Sequence, residues 1–206
     1  MELIVATKNK KKLQEIKIIL SGLNLKISSL ADCAGKIRIV ENGRTFRENA
    51  VKKAVKVAAA TGKLSLGEDS GLCVDALAGA PGIYSSRFSG KPVCPAGRNK
   101  SDSQNNLKLL RLLKGLPLSK RKAHYSCAVA LADNKGLFGV VEGRCAGLIG
   151  FALKGRHGFG YDPLFVIPKY KKTFAQLGEK IKHRMSHRYR ALRKAGKIIK
   201  KYIEKD

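Results

Sequence analysis

The stretch ELIVATKNKKKLQEIKIILSGL, residues 2–23, decides the fold class of this 206-residue chain. Residues 2–6 form a short apolar run that is typical of a buried strand. A helix should follow, because apolar side chains recur there at helical spacing. These side chains are Leu13, Ile16, Ile19, Leu20 and Leu23. A strand that leads directly into a helix indicates an α/β protein.

The rest of the chain extends this alternation and adds a hairpin. Thr45 and Glu48 have the spacing of a helix capping box, and Gly62 suits the end of that helix. Residues 64–76 look like two strands broken by an acidic turn, Glu68-Asp69-Ser70-Gly71. The further predicted elements are a helix from Ser101, strands at 123–132, 137–145 and 164–167, a short helix from about Thr173 and a last helix from Ser186. The sequence therefore predicts a mixed β-sheet with flanking helices.

Composition favours a protein without a membrane anchor. No apolar run approaches the ~20 residues that a membrane span needs. The first apolar segment follows Glu2 and is too short for a signal peptide, so we expect a cytoplasmic protein. The cysteines form no C-x-x-C pair, which gives no sign of a zinc site or a redox motif. We expect buried or incidental thiols at Cys33, Cys73, Cys94, Cys127 and Cys145.

The chain is unusually basic, with 42 Lys and Arg against 15 Asp and Glu and a net charge of +27. Such a surface attracts nucleic acids, nucleotides or anionic membranes without any specific site. The basic residues are spread from Lys8 to Lys205, and the sequence carries no helix-turn-helix, RRM or zinc pattern. We therefore do not expect specific nucleic-acid binding.

The junction between the first strand and helix, Thr7 to Lys12, is suited to binding an anion. Backbone N–H groups and the helix dipole favour negative charge at a helix start, and lysines add point charges suited to phosphate. The Gly-x4-Gly-Lys-Ser/Thr pattern of a P-loop is absent. The alternative is an exposed, lysine-rich helix start without a ligand.

Three carboxylates are candidate metal ligands. Glu41 precedes the capped helix, and Glu68 and Asp69 are adjacent. A metal-dependent phosphate hydrolase needs hard oxygen ligands for Mg²⁺ and a carboxylate that accepts a proton from water. The alternative is a structural acidic turn. A third cluster, Lys182 to Arg188, contains donors that can bind carbonyls on a planar base, or else forms a basic surface helix.

Six motifs follow one another nearly from end to end of the chain. They are A-T-K-N-K-K-K from Ala6, E-N-G-R-T-F-R-E-N-A from Glu41, E-D-S-G-L from Glu68, D-A-L-A-G-A-P-G-I-Y-S-S-R from Asp75, G-F-G-Y-D-P from Gly158 and S-H-R from Ser186. Taken in this order, they resemble the inosine triphosphate pyrophosphatase family, whose bacterial members are called XTP/dITP diphosphatases.

This resemblance implies a fold and an activity. The implied fold is one domain over residues 1–206, an elongated, twisted mixed sheet whose two lobes surround a central cleft. The implied activity is Mg²⁺-dependent hydrolysis of ITP, dITP and XTP to the monophosphate and pyrophosphate, which cleanses the nucleotide pool. The implied assembly is a homodimer.

The resemblance also implies roles for single residues. Glu41 and Asp69, helped by Glu68, would hold the metal, and Asp69 would also accept the proton. The residues placed at the substrate are Thr7, Lys8, Asn9, Lys10, Lys11 and Lys12 at the phosphates, Ser70, then Phe159, Gly160, Tyr161 and Asp162 at the base and sugar, and Lys182, His187 and Arg188 reading the base. Phe159 is placed to stack on the base.

Three positions depart from the commonest family pattern. Lys8 replaces glycine, Glu68 replaces aspartate, and His183 replaces asparagine or serine. None of these changes removes a required chemical group. Two other classes stay open at this point: a nucleic-acid-binding protein that exploits the charge, and a related pyrophosphatase that favours pyrimidine or modified nucleotides.

Overall fold

The computed structural model describes residues 1–33, 37–90 and 98–204. Cys94 lies outside these residues. The described strands form a seven-stranded sheet in the order β2-β1-β3-β4-β5-β6-β7. β1 pairs in parallel with β2 and β3, whereas β5–β6 and β6–β7 are antiparallel. The predicted mixed sheet with flanking helices is therefore confirmed.

The strands and helices alternate along the first part of the chain, and strands dominate the middle. The strands are β1 Glu2–Val5, β2 Lys26–Ser29, β3 Leu64–Val74, β4 Lys122–Asp133, β5 Gly136–Ile149, β6 Phe165–Ile167 and β7 Lys172–Thr173. The helices are α1 Lys10–Ile19, α2 Phe46–Thr61, α3 Arg98–Leu112, α4 Phe174–Met185 and α5 His187–Ile203. Among the described residues, no helix has both the length and the apolar character that a membrane crossing requires.

Local signals account for the start of α1 and for both ends of α2. Asn9 caps α1 by accepting hydrogen bonds from the backbone N–H groups of Lys11 and Lys12. Thr45 caps α2, which ends at Gly62 with φ 66°, a left-handed conformation that suits glycine. The prediction for α3 was wrong at its start, because the chain is already helical at Arg98. β2 and β7 were not predicted, since four and two residues carry too little periodicity.

The predicted acidic turn at residues 68–71 is wrong. Residues 64–74 form one continuous strand, β3, although Glu68 and Asp69 lie inside it and are 2% and 8% exposed. Buried carboxylates are tolerated in a strand only when cations or donors satisfy them. Here lysine and arginine side chains do so, and the acidic pair marks a site and not a chain reversal.

The chain divides into two compact units that each take several segments. Unit 1 comprises Met1–Asp69, Cys127–Gly143 and His187–Asp206. Its largest core lies where α1 and α5 pack on β1, β3 and β4, through side chains such as Val5, Ile16, Leu66, Val129 and Leu192. α2 covers unit 1 with the small-residue face that the sequence predicts, because Ala50, Ala54, Val57 and Ala58 are all buried.

Unit 2 comprises Ser70–Ser126 and Arg144–Ser186. Its core gathers residues from α3, α4 and the strand segments of this unit. Three aromatic rings form its centre: Tyr125 lies 4.6 Å from Phe165, which lies 5.4 Å from Phe174. These contacts fix the strands that carry the polar residues described below.

Candidate active site

The start of α1 presents four lysines around a capped helix end. Asn9 Oδ1 lies 3.1 Å from Lys11 N and 3.3 Å from Lys12 N, and Thr7 Oγ1 accepts from Asn9 N. The side chains of Thr7 and Asn9 thereby shape the turn. Lys8, Lys10 and Lys11 are exposed, whereas Lys12 is partly buried. This arrangement suits an anion, because it combines the helix dipole with exposed lysines.

Lys12 differs from its neighbours because it joins a buried ionic network. Its Nζ lies 2.7 Å from Glu68 Oε2. The other carboxylate oxygen of Glu68 accepts from Arg188 Nη2 at 3.0 Å, and Arg188 Nη1 also pairs with Glu15. Cys127 donates its thiol to the same Glu68 oxygen at 3.4 Å. Arg188 is 1% exposed, and the two carboxylates raise the pKa of its guanidinium although burial opposes this.

A second carboxylate pair meets on the ammonium group of Lys53. Lys53 Nζ lies 3.1 Å from Asp69 Oδ1 and 2.8 Å from Glu41 Oε2, and it also donates to the backbone carbonyl of Glu68. Glu41 is on the segment before α2, whereas Asp69 is on β3. Two acidic groups from separate segments therefore converge on one cation.

Asn49 holds these two segments together. Its Nδ2 donates to Asp69 Oδ2 at 3.0 Å, and its Oδ1 accepts from Gly43 N at 2.8 Å. Gly43 is needed here because a Cβ at this position would lie 2.7 Å from Asn49 Oδ1. The Glu41 segment thus reaches β3 through a close backbone approach.

Burial and neighbouring charges shift the pKa values of Asp69 and Lys53. Desolvation raises the pKa of Asp69 above its ordinary value, although Lys53 and Lys12 act in the opposite direction. Burial alone would lower the pKa of Lys53, but the charges of Asp69 and Glu41 raise it. Lys53 is therefore held protonated. Asp69 holds a proton more readily than an exposed aspartate does.

The donor set fits a hard divalent cation with few protein ligands. Glu41 and Asp69 already direct carboxylate oxygens at one positive group, the Lys53 ammonium. In the described residues, no group of three or more His, Cys, Asp or Glu side chains could hold a metal ion. Mg²⁺ is commonly held by one or two carboxylates with waters and substrate phosphates, so two are enough.

Glu68 is not part of this convergence. Adjacent side chains of a strand point to opposite faces of the sheet, so Glu68 and Asp69 diverge. Both carboxylate oxygens of Glu68 are directed to Lys12 and Arg188. Glu68 therefore belongs to the ionic network in this structure, and its predicted role as a helping metal ligand stays a prediction.

Unit 2 contains a separate cluster built on the Gly-rich loop before β6. Asp162 Oδ2 accepts from Lys182 Nζ at 2.7 Å and from Phe159 N at 2.9 Å. The Lys182 ammonium lies 4.5 Å from the centre of the Phe159 ring. Gly158 has φ 79°, and a Cβ there would lie 2.1 Å from Asp162 Oδ2. The loop conformation therefore requires glycine and presents an aromatic ring beside a lysine.

Hydrogen bonds from α3 and to Ser85 also hold this loop in place. Asp102 accepts from Gly160 N at 2.8 Å, and Asn106 donates to the Gly160 carbonyl at 2.9 Å. Tyr161 is buried, with its hydroxyl bonded to the carbonyl of Ser85. Side chains of α3 thus bond both the N–H group and the carbonyl of Gly160. The loop is set by tertiary contacts, not by its own sequence alone.

The predicted base-reading residues fall in two units. Lys182 is in unit 2, beside Asp162 and Phe159, whereas His187 and Arg188 begin α5 in unit 1 and are buried. Ser70 directly follows Asp69 on β3 and is partly buried. Arg188 donates to Glu15 and Glu68, a role that the sequence reading did not assign to it.

Sequence reasoning missed Lys53, Asn49 and Glu15. Asn49 and Lys53 are four residues apart on α2, on the same side as the small buried residues. That spacing was the available signal: polar side chains on a face otherwise made of alanine and valine must have buried partners. Glu15 gave no comparable signal, because a single glutamate on a lysine-rich helix is ordinary.

Unit 1 thus presents a lysine-bearing helix start and two carboxylates that converge on one lysine, and unit 2 presents an aromatic ring beside a lysine. The chain belongs to the Ham1 family, whose sequence model matches residues 3–198. It is 45% identical over 207 residues to a dITP/XTP pyrophosphatase of Desulforamulus reducens, with 100% of both chains covered. It is also 45% identical to a dITP/XTP pyrophosphatase of Clostridium perfringens, over 93% of each chain.

Solved structures agree with this assignment. The Ham1 protein of Staphylococcus aureus superimposes with a TM-score of 0.84 at 34% identity and covers 98% of this chain and 100% of its own. The HAM1 protein of Coxiella burnetii also gives 0.84, at 33% identity over 98% of this chain and 99% of its own. The agreement extends over nearly the full length of each chain.

Proposed function

We propose that this protein hydrolyses non-standard purine nucleoside triphosphates, such as dITP and XTP, to the nucleoside monophosphate and pyrophosphate. The observation that carries the proposal is the convergence of Glu41 and Asp69 on Lys53, in the same unit as the lysine-bearing start of α1. The relatives named dITP/XTP pyrophosphatase support the substrate class.

Mg²⁺ would be held by Glu41 and Asp69. When bound, it would neutralise part of the charge on the substrate phosphates. The protein supplies two carboxylates for this purpose, and their present partner, the Lys53 ammonium, marks a position where positive charge is stabilised. Lys53 would move aside or share the carboxylates with the ion.

Asp69 would accept the proton from the attacking water. The water oxygen would form a bond to the α-phosphorus, the bond from that phosphorus to the α–β bridging oxygen would break, and pyrophosphate would leave. The raised pKa of Asp69 suits a proton acceptor better than that of an ordinary exposed aspartate. Lys12 and the exposed lysines of α1 would offset the charge that develops on the leaving pyrophosphate.

The purine base would stack on Phe159. Lys182 and the loop from Phe159 to Asp162 would contact the base and sugar, supported by the hydrogen bonds that hold this loop rigid. His187 and Arg188 would favour a carbonyl at the 6-position of the purine, since an amino group there leaves donors unpaired. Because Arg188 donates to Glu15 and Glu68, any such role must be shared with the ionic network.

Pyrophosphate release from ITP, XTP, GTP and ATP, with and without Mg²⁺, tests the proposal. We expect rapid release from ITP and XTP, slow release from ATP, and loss of release when the metal is removed. Adding CTP and UTP to the panel tests the alternative of a pyrimidine-directed enzyme. Equal or faster release from a pyrimidine nucleotide would contradict the assignment of the substrate class.

The proposal also includes that the protein is a homodimer and acts in the cytoplasm. The family resemblance implies the dimer, and light scattering of the purified protein measures its mass directly. A monomer at assay concentrations would refute that part while leaving the catalytic assignment untouched.

A further inference from the structure

The solvent face of α5 is a continuous basic stripe. Helix α5, His187–Ile203, contains no Asp or Glu in its 17 residues. Six of its basic side chains are exposed: Arg190, Arg193, Lys194, Lys197, Lys200 and Lys201. At about 100° per residue these six fall within an arc of about 120°. We call them the α5 stripe.

The opposite face of α5 is fixed in the core of unit 1. Ala191, Leu192, Ala195 and Ile199 are fully buried there, and Ile198, Tyr202 and Ile203 pack against the same core. This packing fixes the rotation of α5 about its own axis, so the α5 stripe faces the solvent. Because its apolar residues are already committed to the core, α5 has no apolar face to insert into a lipid bilayer.

The spacing of the α5 stripe matches a phosphodiester backbone. From Arg190 to Lys201 the helix rises about 16 Å, at 1.5 Å per residue. One strand of a nucleic acid places a phosphate about every 3.4 Å along the duplex axis, so about five phosphates cover the same length. Six cations face about five anions, which is more than a single nucleoside triphosphate can offer.

Two lysines of the α5 stripe have contacts that leave their positive charge largely in place. Lys200 pairs with Glu204 at 3.9 Å, and both side chains are largely exposed, which makes the pair weak. Lys194 donates to the backbone carbonyl of Glu142, a neutral partner that leaves the positive charge in place. A polyanion that binds along the α5 stripe would therefore lie close to several positive charges.

We propose that the α5 stripe binds nucleic acid through its phosphodiester backbone, without reading the base sequence. The α5 stripe uses none of the residues assigned to the candidate active site, and the proposal does not depend on the proposed hydrolysis. It also agrees with the expectation that no specific nucleic-acid partner exists, because backbone contacts carry no sequence information.

The test is binding of a fluorescent DNA duplex of about 20 base pairs, measured by anisotropy across a salt series. The duplex carries no 5′-triphosphate, and EDTA is present, so that the candidate active site is not probed. The test variant is Lys194→Gln/Lys197→Gln/Lys201→Gln. The matched control is Lys56→Gln/Lys114→Gln/Lys135→Gln, which removes the same charge from exposed positions elsewhere.

We expect the stripe variant to lose at least about tenfold in affinity at ~0.1 M salt. The slope of its log affinity against log salt should flatten by about 3, since each lost phosphate contact to a duplex removes about 0.9. The control variant should lose much less affinity. Both variants should have the melting temperature and the nucleotide turnover of the parent protein. Equal loss in both variants would overturn the proposal, because the charge would then act diffusely. So would an absence of binding in the parent, or stripe-dependent binding to phosphatidylserine vesicles without binding to the duplex.

Discussion

Lys53 connects the two acidic segments of the candidate active site, and it does so from the face of α2 that packs against β3. Its ammonium contacts Asp69, Glu41 and the Glu68 carbonyl, and only a small part of its side chain is exposed. A buried cation with two carboxylate partners compensates charges that would otherwise be costly to desolvate. The pair of carboxylates is therefore preorganised before any metal binds.

Asp69→Asn tests the proton acceptor. The amide keeps the size of the side chain but loses its negative charge and most of its basicity. We expect kcat for ITP to fall at least ~10²-fold while nucleotide binding is retained, since general-base catalysis contributes on that scale. Steady-state pyrophosphate release and equilibrium nucleotide binding measure the two effects.

Asp75→Asn is the matched control, because Asp75 is an exposed aspartate just after β3. Its turnover should stay close to that of the parent. Near-normal turnover of Asp69→Asn would remove Asp69 from the proposed mechanism.

Lys53→Met tests the carboxylate pair independently of turnover. Removing the ammonium leaves Asp69 without its buried cation, so we expect the free energy of unfolding to fall by about 3 kcal/mol in the absence of metal. Mg²⁺ should recover part of this loss, because an ion bound only to the folded state stabilises it. Denaturant unfolding with and without MgCl₂ measures both.

Lys52→Met provides the comparison at the neighbouring position, where the lysine is exposed and bonded to Asn42. That variant should lose little stability. If Mg²⁺ gives Lys53→Met no added stability, the carboxylates do not hold the ion.

At the scale of elements, the contact between α2 and β3 places the catalytic candidates. Gly67 lies on β3 directly before Glu68 and Asp69, and the backbone of α2 passes over it. A Cβ at Gly67 would lie 2.0 Å from the Ala50 carbonyl oxygen and 2.6 Å from Ala54 N. This close approach allows Asn49 and Lys53 to reach Asp69 with ordinary side-chain lengths.

Gly67→Ala should therefore force α2 away from the sheet. We expect a loss of at least about 1–3 kcal/mol in the free energy of unfolding, the usual scale of overpacking, because backbone atoms cannot move aside like side chains. Turnover should fall as well, since Lys53 and Asn49 move with the helix.

Gly22→Ala is the control, because a Cβ at that glycine meets no heavy atom within 4 Å. Urea unfolding of both variants measures the difference. Equal stability of the two would mean that the α2–β3 contact is looser than the structure indicates.

At the scale of the whole molecule, the dominant feature is the net charge of +27. Like charges at this density repel one another in the compact state more than in the expanded chain, which reduces stability at low salt. Added salt screens this repulsion because the Debye length falls from tens of ångströms to below 10 Å over the experimental range.

The melting temperature should therefore rise with salt. Between ~20 and ~200 mM NaCl we expect an increase of about 2–4 °C, which corresponds to about 1 kcal/mol for a chain of this size. Differential scanning calorimetry without divalent ions measures it. A decrease would show that favourable ion pairs outweigh the net repulsion.

Sequence patterns were sufficient for most of the elements. The α2 boundaries followed from Thr45, Glu48 and Gly62, because caps are local. The prediction of an acidic turn was wrong because the stabilising contacts are not local. Glu68 and Asp69 are unfavourable in an isolated strand, and the cations that stabilise them come from α1, α2 and α5. Local propensity was overruled by partners distant in sequence.

What the sequence alone determined is the mixed α/β fold, the helix caps and the family motifs, all of which depend on neighbouring residues or on a fixed order along the chain. Only the tertiary structure decided that Lys53 joins Glu41 to Asp69, that Glu68 faces Lys12 and Arg188, and that Gly67 admits α2 against β3. The physical reason is that buried charges are stabilised by whichever opposite charges the fold brings within about 3 Å, and spacing along the chain does not encode that meeting.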